Sequence, residues 1–238
     1  MKRLVKGGLN ALGYEVHKKQ DSQKFTIGEI TYEVDPCSVG ETPQGELTGE
    51  AAIRMIRERG LSKLRVLDIC CGVGIIGMTI FSKLRRESIV ERVGFVDINI
   101  FNLNSLRRTL KLNNLDQLLG DRINYWLSDS LDNVPAGEKF DLIVSNPPHF
   151  FSPDHTEGFL SPGRLGTYDA DWSFHKSFYK QCHNYLTERG EVWFLENGDA
   201  VQESGLLPLI QANSNLSYVK QITEPLDPVF FWMISKKV

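Results

Sequence analysis

The chain has 238 residues, 41% of them hydrophobic, and carries 27 Lys and Arg against 30 Asp and Glu. A chain of that length and apolar content buries a substantial core, which excludes a disordered or low-complexity polypeptide. The net charge of −3 and the pI of about 6.0 exclude attraction of the whole surface to nucleic acid and leave only local basic groups to provide it.

Met1 to Leu12, with Lys2, Arg3 and Lys6, reads as a short basic amphipathic capping helix. The stretch Gly7 to Gly13 is too polar and too short for a signal-peptide core, and no apolar run approaches membrane-spanning length. Phe25 to Val34 alternates around Gly28 as a β-hairpin does. Asp35 to Gly45 is polar and reads as a loop that closes over a ligand, and Thr48 begins a helix through Arg59. Residues 1–47 are therefore expected to be an extension with a covering loop, and residues 48–238 the main domain. From there the pattern predicts strand 64–70, helix 75–86, strand 93–97, helix 100–114, strand 122–127, strand 140–145, helix 173–187 and strand 191–196. Such alternation predicts an α/β fold with a doubly wound, mostly parallel sheet whose ligands sit at the carboxyl ends of the strands. Leu216 to Ile222 and Val229 to Ser235, parted by Pro225 and Pro228, read as a terminal antiparallel hairpin.

Four chemical signals fall at those strand ends. After Leu64 to Cys70 comes Cys71-Gly72-Val73-Gly74-Ile75-Ile76-Gly77, a glycine turn opening a helix. Glycines there permit positive φ and close ligand approach, and the helix start offers unpaired N–H groups. Asp97 ends the next strand, Ser128-Asp129-Ser130 follows the third, and Asn146-Pro147-Pro148-His149 follows the fourth. Gly72, Gly74 and Gly77 with Asp97 also satisfy a dinucleotide fingerprint, so a nicotinamide oxidoreductase is one reading. Asp68, inside the glycine-rich segment, suits a pyrophosphate poorly and a cationic sulfonium or amino group well. In the N-P-P turn each proline fixes its φ and lacks an N–H, which leaves the Asn146 oxygen and nearby carbonyls as preset acceptors for an –NH2 group.

The order D-x-x-x-G-x-G, acid, Asp, N-P-P-H resembles the class I S-adenosylmethionine-dependent methyltransferases, in particular the branch with N-P-P-[YF] that methylates glutamine side chains or exocyclic base nitrogens. The resemblance covers roughly Thr48 to Glu196. It implies a Rossmann-like, seven-stranded sheet with a reversed final strand, and S-adenosylmethionine as cofactor with S-adenosylhomocysteine as product. Carried over by position, it implies that Asp68, Gly72 and Gly74 line the methionine part, that Asp97 with Ile98 holds the ribose, and that Asp129 with Ser130 lies near the adenine. Asn146 and Pro147 would orient the acceptor nitrogen. His149 departs from the family pattern, which has an aromatic there. It is expected to act as a neutral planar face, or, for a hydroxyl acceptor, as the base of an O-methyltransferase.

The irregular stretch from Phe150 to Ser173 is the expected place for acceptor specificity, with Pro148, His149, Phe150, Tyr168 and Trp172 as candidate contacts. His149, Asp154 and His155 lack a rigid ligand spacing, so no metal is expected. Glu196-Asn197-Gly198 reads mainly as a turn. Cys37, Cys70, Cys71 and Cys182 show no C-x-x-C spacing and suit a reduced, cytoplasmic protein. Lys83, Arg85 and Arg86, and Arg107, Arg108 and Lys111, read as solvated helix faces. The expected acceptor is a planar amide or amine of a protein, peptide or small molecule. A nucleic-acid base is the alternative, and a catalytically silent, cofactor-binding partner subunit is a reading of another class.

Overall fold

A computed structural model describes residues 22–38, 42–152, 166–201, 203–224 and 228–238. The helix expected over Met1 to Leu12 lies outside them, as do Asp154 and His155. A seven-stranded sheet carries β3 (Leu64–Ile69), β4 (Val90–Asp97), β5 (Ile123–Leu127), β6 (Phe140–Ser145), β9 (Leu186–Asn197), β10 (Leu216–Thr223) and β11 (Phe230–Lys237). Their order is β10-β11-β9-β6-β3-β4-β5. The β3, β4, β5, β6 and β9 pairings are parallel, whereas β11 runs antiparallel to both β9 and β10. The last strand is thus the reversed one. The chain winds outward from β3 through β4 to β5, then returns to β6 on the other side of β3, and this change of direction opens a crevice at the carboxyl ends.

Burial on both faces explains why the central strands are almost wholly apolar. Along β9, Trp193 and Leu195 join one core cluster while Val192 and Phe194 join the other, the two-residue period of a strand. Helices α1 (Thr42–Glu58), α2 (Ile75–Leu84) and α3 (Ile100–Leu112) pack the first side. Helices α5 (Ser173–Gln181) and α6 (Glu203–Gln211) cover the second, and a short α4 (Leu115–Leu119) follows α3.

The hairpin β1 (Gln23–Ile27) and β2 (Ile30–Val34) docks on α3 through an unusual ladder. The N–H groups of Thr31, Glu33 and Asp35 donate to Asn113 Oδ1, Thr109 Oγ1 and Ser105 Oγ at 3.0, 3.0 and 2.9 Å. Two strand residues rise about 6.6 Å and four helix residues about 6.0 Å, so acceptors spaced by four on the helix match donors spaced by two on the strand.

Several boundaries differ from the expectation. Helix α1 starts at Thr42, before Thr48, so the expected loop gives its last residues to a helix. The helix expected over 173–187 stops at Gln181, followed by a 3-10 turn Cys182–Tyr185, because Leu186 is already paired with Phe140 in the sheet. Helix α6, a segment to which the sequence analysis assigned no element, forms although Gly205 and Pro208 are helix breakers, and Leu206 and Ile210 are fully buried beneath it. Two three-residue strands, β7 (Phe150–Ser152) and β8 (Tyr168–Ala170), pair in parallel next to the crevice.

Gly77 in α2 allows the helix to lie on the sheet. A Cβ there would meet Phe95 Cε1 at 2.6 Å and Asp68 Cβ at 3.0 Å, with both neighbours in the core. Gly77→Val is expected to lower unfolding stability by at least about 1–3 kcal/mol, the scale of overpacking. An unchanged midpoint in urea unfolding would contradict this close approach.

Candidate active site

The crevice is a cavity of about 610 Å³ at the carboxyl ends of β3, β4, β5 and β6, within the usual range for small-molecule sites. Its floor is the turn after β3. Cys70 and Gly72 adopt φ of 54° and 55°, and Gly74 one of 84°. The turn closes with Gly74 N–H donating to the Cys71 carbonyl at 2.8 Å, and Cys71 N–H ties it to the Val96 carbonyl at 3.0 Å.

Asp97 organises this floor. One carboxylate oxygen accepts from Gly72 N–H and the other from Asn99 N–H, both at 2.7 Å. Asn99 in turn caps α3 by accepting from Phe101 N–H at 2.9 Å. Burial pushes the Asp97 carboxyl up to about 6, with those backbone hydrogen bonds opposing the rise. Asp129 also lies above the usual carboxylate range, through partial burial and the charges of Asp132 and Asp169. The Ser130 hydroxyl is buried with no hydrogen-bond partner among the described residues.

Gly72, Asp97, Ile98, Asp129, Ser130, Asn146, Pro148, His149, Phe150 and Tyr168 line this cavity. Asp68, Gly74, Pro147 and Trp172 do not. Asp68 is fully buried behind the glycine turn, where its Oδ2 accepts from Gly77 N–H at 2.8 Å and its Oδ1 has no partner among the described residues. Gly74 shapes the turn by its positive φ, and a Cβ there would lie 2.8 Å from Leu106 Cδ1. Pro147 is buried beside the strand end. Trp172 packs its ring on Phe151 at 5.7 Å and edge-on to His175 at 5.3 Å, supporting the wall from outside.

The N-P-P-H turn carries a second arrangement, which the sequence analysis missed. The His149 ring makes an edge contact with Phe230 at 5.9 Å, and both its nitrogens are engaged. Nε2 lies 2.9 Å from Asn146 Oδ1, and Nδ1 lies 3.2 Å from Glu196 Oε2. Glu196 Oε1 is 3.2 Å from His175 Nε2, and His175 Nδ1 is 2.6 Å from Asp169 Oδ2. Burial alone would pull His175 down, but the Glu196 charge and its hydrogen bonds to Asp169 and Glu196 prevail and push it up to about 9. Burial would likewise raise Glu196, yet the charge of His175 and the hydrogen bonds from both rings hold it below the usual range. Glu196 was read as part of a turn. The available signal was an acid ending the apolar run Val192-Trp193-Phe194-Leu195, since a buried carboxylate needs partners.

Among the described residues no group of three or more His, Cys, Asp or Glu side chains is placed to hold a metal ion, and no helix is long and apolar enough to cross a membrane. A cationic cofactor fits the groups that are present. Asp97 and Asp129 put acidic groups on the wall, and the partnerless Ser130 hydroxyl offers a further hydrogen-bonding atom.

Helices on both faces of this sheet, its reversed last strand, and a glycine turn flanked by acids at successive strand ends are the arrangement of the Rossmann-like, S-adenosylmethionine-dependent methyltransferase fold. Residues 50–160 match the family model of the methyltransferase small domain. The release factor glutamine methyltransferase of Clostridium botulinum is 32% identical over 108 residues, 45% of this chain and 35% of that protein. The chain therefore aligns with only about a third of that relative. The tRNA1(Val) (adenine(37)-N6)-methyltransferase of Actinobacillus pleuropneumoniae is 26% identical over 187 residues, 76% of this chain and 70% of that protein. Among solved structures, a T. thermophilus 16S rRNA N2 methyltransferase in complex with AdoMet and guanosine superposes with a TM-score of 0.64 at 16% identity, covering 100% of this chain and 62% of that one. At that identity the likeness is one of fold. The match to this family model favours the methyltransferase reading over the nicotinamide one.

Proposed function

We propose that this protein transfers the methyl group of S-adenosylmethionine to a neutral planar nitrogen, an amide or amine of a protein side chain or small molecule. The observation that carries the reading is that Asn146 and Asp97 face one cavity, so an acceptor held by the first meets a cofactor held by the second. When bound, the cofactor supplies an electrophilic methyl. The Asp97 carboxylate accepts from the ribose hydroxyls, the Gly72 segment receives the methionine part, and Asp129 with Ser130 receives the adenine. The Asn146 oxygen has two lone pairs, and the one not used by His149 accepts an N–H of the acceptor and turns its lone pair towards the methyl. Attack precedes proton loss to solvent, so no base is needed.

Glutamine and adenine, named in the two relatives, both present planar nitrogens, which supports the acceptor chemistry while leaving the molecule open. The net charge of −3 favours a protein or small-molecule acceptor over a polyanion. An oxygen acceptor with His149 as base has one observation in its favour, the Glu196 carboxylate behind the ring. Against it, Nε2 is already engaged by the Asn146 side chain at 2.9 Å.

Radiolabelled methyl transfer to a glutamine-containing peptide, an aromatic amine, an aromatic alcohol and an RNA oligonucleotide tests the acceptor. Transfer to the alcohol alone would overturn the nitrogen reading, and transfer to none would favour a silent cofactor-binding subunit. Calorimetry with S-adenosylhomocysteine, with NAD as control, tests the cofactor site. Only the ionised Asp97 accepts both ribose hydroxyls, and its carboxyl stands at about 6 in the free protein. Affinity should therefore fall roughly tenfold per pH unit below that value and level off above it, with proton release on binding. A flat affinity between pH 5 and 7 would argue against this role for Asp97.

A further inference from the structure

We infer that Phe230 is a specificity-determining residue whose ring supplies the flat face against which the methyl acceptor lies, so that the site selects planar acceptors over saturated ones. The inference rests on the proposed methyl transfer to nitrogen and names the residue that chooses among such acceptors. Phe230 opens β11 and lines the cavity. In the sheet order it stands four strands from Asp97 on β4, and Asn146, at the end of β6, falls midway between them. Neighbouring strands lie about 4.8 Å apart, so roughly 19 Å of sheet edge separates Phe230 from Asp97. A cofactor held at Asp97 with its methyl brought to Asn146 therefore leaves the β9 and β11 side of the cavity to the acceptor. That is the side on which Phe230 stands.

The other rings around the turn are committed elsewhere. His149 occupies the position of the family aromatic, but its two ring nitrogens lie 3.2 Å from Glu196 and 2.9 Å from Asn146, which pins the ring in either tautomer. It meets the Phe230 ring at 5.9 Å and 65°, an edge contact that seats Phe230 next to the Asn146 turn. Phe151 turns to Trp172, and Phe150 leans on Tyr168 at 5.9 Å from a strand of only three residues. Phe230, by contrast, is fixed from behind. Its backbone pairs with Asn197 on β9, its carbonyl accepts from Glu224 N–H at 2.8 Å, and the Val229 carbonyl accepts from Gly198 N–H at 2.7 Å. The Glu224 carboxylate is itself buried, accepting from Trp232 Nε1 at 2.9 Å and Arg54 Nη2 at 3.0 Å. A ring locked in this way loses little freedom when a ligand covers it. Its face attracts a stacked planar group through more than the area it buries, and a saturated chain gains no such addition.

The test compares methyl transfer to an aromatic amine and to the saturated cyclic amine of the same ring size, in the parental protein and in Phe230→Leu, Phe230→Tyr and Phe150→Leu. The ratio of the two kcat/KM values should fall roughly threefold to tenfold in Phe230→Leu, which keeps apolar bulk without the flat face, and stay near the parental value in the other two. Protonation of the free amines is common to all variants and cancels from the comparison. Affinity for S-adenosylhomocysteine, measured by calorimetry, should stay within about twofold in Phe230→Leu, because the ring lies beyond the reach assigned to the cofactor. A parental ratio in Phe230→Leu, or the loss appearing in Phe150→Leu instead, overturns the inference. A second measurement needs no catalysis. The full chain, labelled on the rings of its 13 phenylalanines and saturated with S-adenosylhomocysteine, is titrated with the aromatic amine, and Phe230 is assigned by the signal lost in Phe230→Tyr. Nuclear Overhauser contacts between the amine and the Phe230 ring are expected, and their absence overturns the inference whether or not any variant folds. Contacts without methyl transfer would remove the proposed function and leave the aromatic platform standing, whereas methyl transfer with no contact to Phe230 would do the reverse.

Discussion

Asn146→Ala should keep S-adenosylhomocysteine affinity within a few-fold of the parental protein and lower the methyl-transfer rate by on the order of a hundredfold or more, the loss expected when an orienting contact disappears. The asymmetry follows from where Asn146 sits. It lies at the end of β6 on the acceptor side of the cavity, whereas the glycine turn and Asp97, which would hold the cofactor, belong to β3 and β4. The substitution removes the oxygen that would hold the acceptor and also strips His149 Nε2 of its partner. Asn146→Asp should be milder, because it keeps an acceptor oxygen for both the ring and the substrate. Transfer by Asn146→Ala at the parental rate would show that the N-P-P-H turn does not position the acceptor.

Asp97→Ala should weaken cofactor binding by about 1.5–3 kcal/mol, the scale of hydrogen bonds to a charged group. Two losses coincide here. The ribose would lose its acceptor, and the N–H groups of Gly72 and Asn99 would lose theirs, which loosens the turn and the cap of α3 together. Calorimetry separates this from general unfolding when paired with a thermal melt of the unliganded variant. Binding at parental strength by a folded Asp97→Ala protein would remove Asp97 from the cofactor site.

The alternation of strands and helices and the four signals at strand ends could be read from the residues alone, because each is a local event. A run such as Leu64 to Ile69 is a buried strand whatever follows it, a glycine turn needs positive φ where it stands, and two prolines stop a strand by their own geometry. The resemblance these signals carry was enough to reach the sheet with its reversed last strand and ten residues of the cavity wall. What the tertiary structure decided was long-range. Asp68 stands three residues before Cys71, yet faces the core because alternate strand residues face opposite ways and its partner is Gly77 in the helix behind. Helix α6 forms despite Gly205 and Pro208 because burying Leu206 and Ile210 outweighs their local cost. The pairing of β7 with β8 and the docking of β2 on α3 depend on partners many residues away. Above all, His149, Asp169, His175 and Glu196 are separated by up to 47 residues and show no motif. Their chemistry exists only because the sheet brings the ends of β6 and β9 side by side and α5 packs across them, and a buried charge is defined by its neighbours in space.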